Sequence, residues 1–219
     1  MRKASGKLRN ILFFAVLSCL VLLTGIVSEG SALGGGSVRE RIKERIQQRL
    51  GNQQVQEQTK IGDAPYQIIE GEGSSYKESP YRAGDYRRYL NFVGRKRFYD
   101  LHVPASYNNG VAIPLVLNFH GGGGKPTQKR RDSGMDMVSD TGGFIVVYPA
   151  GTGEKQDQSL TWNSGIGDNY ANKNNIDDVG FTRALLNDIE KFFLIDQKKI
   201  YVTGFSNGGF MCYRLAVEM

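Results

Sequence analysis

The sequence predicts an α/β fold built on a mostly parallel sheet, and three observations carry that reading. Short apolar runs at 114–119, 144–148 and 200–203 alternate with stretches of helical periodicity. Such a β–α–β–α–β series pairs its strands in parallel through right-handed crossovers. A hairpin pattern, Tyr89–Val93 and Arg97–Val103 joined through Gly94, precedes the series as an antiparallel lead-in. The last strand, Ile200-Tyr201-Val202-Thr203, runs straight into Gly204-Phe205-Ser206-Asn207-Gly208-Gly209, and a helix-like segment from Phe210 to Glu218 follows.

Taken from the start, the chain opens with Arg2, Lys3, Lys7 and Arg9, then an apolar run from Ile11 to Val27 and the small residues Gly30-Ser31-Ala32. This is the layout of a secretory signal peptide over residues 1–32, with an uncleaved N-terminal anchor as the alternative. Val16-Leu17-Ser18-Cys19 makes a poor lipoprotein box, because the apolar stretch continues past the cysteine. Loss of residues 1–32 lowers the formal net charge from +6 to +3. So mild a balance, with no basic cluster interleaved with aromatics, argues against a nucleic-acid partner. Once the signal is removed, no stable membrane association is expected.

Residues 33–84 read as a basic helix followed by a disordered linker. Val38, Ile42, Ile46 and Leu50 form one narrow stripe among Arg and Glu, and residues 51–85 are rich in Gln, Gly, Ser and Glu with little apolar periodicity. The globular part is therefore assigned to 85–219. Within it, Arg131–Asp140 is a weak helix and Phe144–Tyr148 an apolar strand, and Gly151–Asp177 forms a long polar loop. Asp178 is placed to cap the next helix, whose Phe181, Leu185, Ile189 and Phe192 recur at helical spacing. Asp168, Asp177 and Asp178 lack the fixed ligand spacing of a calcium loop, so no metal is expected there, and no cofactor elsewhere.

Gly-x-Ser-x-Gly between a strand and a helix is the context in which a serine becomes a nucleophile. The turn is so tight that Ser206 is expected in a strained backbone conformation. A Cβ at Gly204 or Gly208 is expected to collide across it. The hydroxyl then stands at a helix N-terminus, where the dipole favours developing negative charge. Upstream, the buried strand 114–119 leads directly into His120-Gly121-Gly122-Gly123-Gly124. A phosphate cradle does not fit: Phe119 occupies the first glycine position of a Walker pattern and Pro126 follows Lys125, and Pro126 also stands where the dinucleotide fingerprint needs glycine. A His-Gly-Gly-Gly turn after a strand serves instead as half of an oxyanion hole. Gly121 and Gly122 would supply one N–H and Asn207 the other, with His120 bracing the loop.

Further motifs recur in the same order: Arg97-Phe98-Tyr99-Asp100-Leu101-His102-Val103-Pro104, Gly143-Phe144-Ile145-Val146-Val147-Tyr148-Pro149, Trp162-Asn163 and Asp177-Asp178-Val179-Gly180-Phe181. With the two glycine turns they make the chain, from about Tyr86 onward, resemble the secreted α/β-hydrolase esterases of the polyhydroxybutyrate depolymerase and feruloyl esterase family. The resemblance implies an α/β-hydrolase sandwich cut off after the nucleophile elbow. It also implies a secreted serine esterase acting through an acyl-enzyme on an ester substrate, polymeric or small: polyhydroxyalkanoate, or feruloyl or acetyl groups on polysaccharide. Phe205, Trp162 and Tyr148 are candidate cleft residues, although Trp162 equally fits packing beneath the polar loop. A serine peptidase of the same fold and a non-catalytic polymer-binding protein remain as alternatives.

A serine needs a histidine to take its proton and a carboxylate to orient that histidine, and in this fold both follow the serine. The chain holds two histidines, His102 in the hairpin and His120 in the glycine turn, and none after Ser206. The expectation is therefore an N-terminal part of an enzyme, inactive by itself, with strand 200–203 left as an open edge. Cys212 is either a small buried hydrophobe or half of a disulfide.

Overall fold

A computed structural model describes residues 66–73 and 75–219; the expected signal segment and basic helix lie outside the described residues. Eleven elements follow in order: β1 Gln67–Ile69, β2 Gly84–Phe92, β3 Arg95–Val103, β4 Ile113–Phe119, α1 Pro126–Ser133, α2 Met135–Gly142, β5 Ile145–Pro149, α3 Tyr170–Lys173, α4 Asp178–Ile189, β6 Ile195–Gly204 and α5 Asn207–Glu218. The strands form one six-stranded sheet in the order β1-β2-β3-β5-β4-β6. β4 pairs in parallel with both β5 and β6, while β3 runs antiparallel to β5 and to β2. This is the mixed, mostly parallel sheet of an α/β-hydrolase.

The predicted hairpin is present and longer than its apolar pattern. Val93 (φ 47°) and Gly94 (φ 70°) form the two-residue turn between β2 and β3, and two left-handed residues match the twist of the flanking strands. Other boundaries moved for identifiable reasons. The helix expected over 131–140 is two helices, because Gly134 (φ 58°) ends α1 in the left-handed region and starts α2. β6 begins at Ile195 rather than Ile200, with a register shift opposite Ile113–Leu115 that accommodates its polar first half. The stretch read as linker contributes β1, which pairs in parallel with β2 and buries Ile69. Three residues with one apolar anchor leave no period to read. Asp177, not Asp178, caps α4: its carboxylate accepts the Gly180 N–H at 2.7 Å.

Residue alternation divides the sheet between two helical layers. Leu115, Leu117, Phe119, Ile145, Val147, Ile200 and Val202 join Phe181, Leu185 and Ile189 of α4 and Met211 and Leu215 of α5 in the main core. On the opposite face, Asn118 donates to Ser133 and the Tyr148 hydroxyl donates to Asp136, so α1 and α2 cover that side. All five residues of β5 are buried, as expected of a strand covered on both faces. β6 is one outer strand of the sheet among the described residues, and β1 is the other.

Buried charges tie the antiparallel end to the helices. Arg88 on β2 makes a bidentate pair with Asp188 on α4 (2.9 and 3.0 Å), and the Tyr99 hydroxyl donates to the same carboxylate at 3.0 Å. On the other face, His102 sets Nδ1 2.7 Å from Asp85 and Nε2 3.1 Å from Asp140, while Arg130 pairs with both Asp85 and Asp136. Burial opposes charge on the His102 ring, but the facing carboxylates of Asp85, Asp136 and Asp140 outweigh it and hold its pKa above 6.5.

Arg88→Met would leave the Asp188 carboxylate buried with only the Tyr99 hydroxyl and, at 3.9 Å, the Lys191 ammonium. A loss of about 3 kcal/mol is expected in urea unfolding, and Arg88→Met with Asp188→Leu should lose clearly less, since no charge is then stranded. Because His102 is more basic folded than unfolded, its contribution to stability is complete below pH 6.5 and is lost as pH rises through its folded pKa. His102→Gln should therefore flatten the fall in stability of the wild type just above pH 6.5, measured by unfolding midpoints across a pH series.

Candidate active site

β6 delivers the chain to a turn that only particular residues can make. Ser206 has φ 50° and ψ −120°, a left-handed backbone conformation that costs an ordinary side chain on the order of 1–3 kcal/mol. The turn is held by the Gly208 N–H donating to Phe205 O (2.9 Å) and the Phe210 N–H donating to Ser206 O (3.0 Å). A Cβ at Gly204 would collide with the carbonyl of Gly208 across the turn, as expected. At Gly208 the obstacle differs from the expected one: a Cβ there would strike the carbonyl oxygens of Phe119, at 2.6 Å, and His120, at the end of β4. The second glycine therefore seats the elbow on the neighbouring strand rather than easing the turn itself. Ser206 is exposed and heads α5 without using its hydroxyl as a cap.

The glycine turn after β4 lies against this elbow. A Cβ at Gly121 would sit 3.1 Å from the Phe205 ring, and one at Gly122 would sit 3.5 Å from Asn207 Cβ. The turn is clamped by the Gly123 N–H donating to Leu160 O (2.9 Å), the Leu160 N–H donating to Gly124 O (3.2 Å) and the Gly124 N–H donating to Gly121 O (3.0 Å). Among the described residues no hydrogen bond engages the N–H of Gly121 or Gly122. The N–H of Asn207, first residue of α5, has no acceptor within its helix. Three free main-chain donors thus border the serine from both sides.

His120 is fully committed to bracing. Its Nδ1 lies 2.8 Å from Gly121 O and its Nε2 accepts the Gly151 N–H at 3.0 Å, so the neutral ring protonated on Nδ1 satisfies both partners. Burial pushes its pKa down to about 4, which keeps it neutral. Trp162 stacks beside it with ring centroids 4.9 Å apart and donates its indole N–H to His120 O at 2.9 Å. Neither histidine is hydrogen-bonded to Ser206 among the described residues.

The Tyr148 cleft assignment is corrected, and of the two readings of Trp162 the structure bears out packing beneath the polar loop. Trp162 and Tyr148 are both wholly buried and present no surface to a substrate. Trp162 packs edge-on against Phe119 under the loop, and the Tyr148 hydroxyl is engaged by Asp136 at 2.8 Å on the far face of the sheet. Phe205 differs: it is 62% exposed and borders a cleft of about 450 Å³ together with the Gly121–Gly124 turn, Lys125 and Lys129. The Asn207 side chain turns to the polar loop, accepting the Trp162 N–H at 2.7 Å and donating to Trp162 O and Ser164 Oγ. That loop is anchored in turn by Asp178, which accepts the Asn163 N–H (2.7 Å) and pairs with buried Arg97 (2.8 Å). The Arg97–Asp178 pair was beyond sequence reasoning, since its members stand 81 residues apart. A basic residue on an otherwise buried strand was the only signal.

Asp85, His102 and Asp136 offer ligand atoms within 4.8 Å of one another, but the Arg130 guanidinium already pairs with both carboxylates and supplies the cation. Cys212 is a buried thiol on α5, its pKa pushed up to about 12 by burial, the environment of a small hydrophobe.

No family model matches the chain. In sequence it is similar to the bifunctional acetylxylan esterase/xylanase XynS20E of Neocallimastix patriciarum, 32% identical over 115 residues, which cover 52% of this chain and 15% of that protein. It is also similar to feruloyl esterase B of Piromyces equi, 32% identical over 108 residues, covering 49% and 19% respectively. The chain therefore spans less than a fifth of either relative's length. In structure it is similar to an S-formylglutathione hydrolase from Agrobacterium tumefaciens, with TM-score 0.53, 13% identity, and 69% of this chain matched to 57% of that one. At that identity the likeness speaks for the fold alone. The described residues thus have the α/β-hydrolase fold, and the relatives in sequence are named esterases, acetylxylan and feruloyl esterases among them.

Proposed function

We propose that this chain carries the nucleophile and oxyanion half of a serine ester hydrolase. The observation that carries the reading is Ser206 itself. It is an exposed serine in a left-handed conformation at a strand–helix turn, beside main-chain N–H groups that have no acceptor among the described residues. Strain of this kind persists only where the surroundings over-determine it, and here two glycine-only contacts do so.

In the proposed reaction Ser206 Oγ attacks the ester carbonyl carbon as its proton passes to a base. The carbonyl oxygen becomes an oxyanion held by the N–H groups of Asn207 and of Gly121–Gly122. Collapse breaks the bond to the alcohol oxygen, which leaves with the proton, and water then repeats the sequence to release the acid and restore Ser206. His120 braces the oxyanion loop and His102 lies within a carboxylate cluster, so neither serves as base in this scheme; the base and its carboxylate partner belong to residues other than these. Removing one oxyanion donor typically costs 10²–10³ in rate, which is why the fixed glycine turn matters as much as the serine. The names of the relatives suggest acetyl or feruloyl esters on polysaccharide as substrates, and the overall resemblance adds polyhydroxyalkanoate. The layout of residues 1–32 fits export and an extracellular site of action.

The chain should be phosphonylated at Ser206 by a fluorophosphonate, slowly as it stands and faster with added imidazole as an external base. Ser206→Ala should take no label, as read by intact-mass spectrometry. Equal labelling of both proteins would end the proposal, and cleavage of peptide but not ester substrates would favour a peptidase. Gly208→Ala should abolish labelling and lower the unfolding midpoint, because its methyl group would force the elbow off β4.

A further inference from the structure

The cleft beside Phe205 has a feature that ester hydrolysis does not require. One wall is the Gly121–Gly124 turn, and the other side carries Lys125, Gln128, Lys129 and Asp132 from the start of α1 and its first turns. At about 450 Å³ it is large enough for a small-molecule ligand. It reaches Phe205, the residue before Ser206, and the glycine turn on its wall abuts Phe205 at Gly121 and Asn207 at Gly122. Among the described residues neither Lys125 nor Lys129 has a carboxylate within ion-pair distance, and Asp132 is turned to Arg131 at 3.7 Å. Lys129 is also partly buried, and burial lowers its pKa. Two unpaired ammonium groups, one of them partly withdrawn from water, therefore converge on one small cleft. Lys125 is exposed, whereas withdrawing the Lys129 ammonium from water is unfavourable, offset in part by Asp132 and further by any anion that enters the cleft. Elsewhere the chain pairs its half-buried and buried cations: Arg87 with Asp100, Arg88 with Asp188, and Arg130 with Asp85 and Asp136. The cleft also carries Asp132, whose charge favours the Lys129 ammonium, so two lysines stand against one carboxylate in its lining.

We infer that Lys125 and Lys129 form an anion-accepting subsite and that the ester bound at Ser206 carries a carboxylate, held by the two lysines while its scissile carbonyl faces the glycine turn. The inference rests on the serine-hydrolase reading for the ester, while the lysine subsite can be tested without turnover. Charge complementarity of this kind selects among ligands that the apolar wall of Phe205 would not distinguish.

The test compares monomethyl succinate, a half-ester with one free carboxylate, with neutral dimethyl succinate by NMR titration of the whole chain. The half-ester should bind about tenfold more tightly at low salt and lose most of that advantage at high salt. Lys125→Met and Lys129→Met should each cut the preference about threefold, and the double variant should erase it. Lys129→Arg should restore it, and Lys198→Met, on the exposed first half of β6, should leave it unchanged. Circular dichroism checks that each variant is folded. Equal affinity for the two ligands, no binding of the half-ester at millimolar concentration, or a preference that survives the double variant would overturn the inference. Fluorophosphonate labelling of Ser206 separates the two proposals. Labelling without an anion preference removes the subsite alone, and an anion preference without labelling removes the hydrolase reading and keeps the lysine subsite.

Discussion

Everything about this site depends on how closely two pieces of backbone approach. The first turn of α5 rests on the carbonyl ends of β4, with no room at Gly208 for even a methyl group. That contact sets the height of the elbow over the sheet, and with it the position of Ser206. It also brings the turn after β4 against Phe205 and Asn207, so the serine and the free N–H groups share one small region. A strand pairing makes this possible. β4 and β6 are parallel neighbours whose register runs through Phe119 and Gly204, so both end at the same edge of the sheet and their following turns must meet. Sites in open α/β sheets form at the carboxyl ends of strands for this reason.

The supports around the elbow are polar and mostly buried. Asn207 spends its side chain on the loop at Trp162–Ser164 and leaves its main-chain N–H free. The same loop hangs from Asp178, which Arg97 holds from the middle of the sheet while lying over the Phe181 ring at 3.8 Å. Arg214 on α5 reaches back to Asn163 O at 2.7 Å and closes the circuit. Buried ion pairs of this kind contribute little net stability, because desolvation offsets most of the attraction. What they supply here is geometry: each cation has one acceptor set, and shifting the loop would strand a charge.

Much of the fold could be read in advance. The hairpin, strands β4 and β5, helix α4 and the elbow were legible because period-two and period-3.6 burial are written directly into residue order. The two glycine turns were legible for a different reason, since their φ and clearance demands admit almost no other residue. Errors arose where burial depended on partners distant in sequence. Tyr148 was assigned to the cleft, yet it is interior with its hydroxyl satisfied by Asp136, and Trp162, equally readable as cleft wall or as packing, is interior with its indole satisfied by His120. The three residues of β1 looked like linker because a short strand gains its one buried side chain only by adding to an existing sheet. Asp178 was read as the cap, but Arg97 claims it and Asp177 caps α4 instead.

Residue order alone therefore determined the α/β class, the elbow with Ser206 at its apex and the glycine turn that faces it, because these rest on local conformational limits that act within a few residues. Tertiary structure decided which aromatics are interior, which aspartate caps α4 and which holds the sheet, and that Lys125 and Lys129 line the same cleft as Phe205. Those outcomes are set by which side chains meet across the fold, and a charge or a ring acquires its role only when its neighbours are in place.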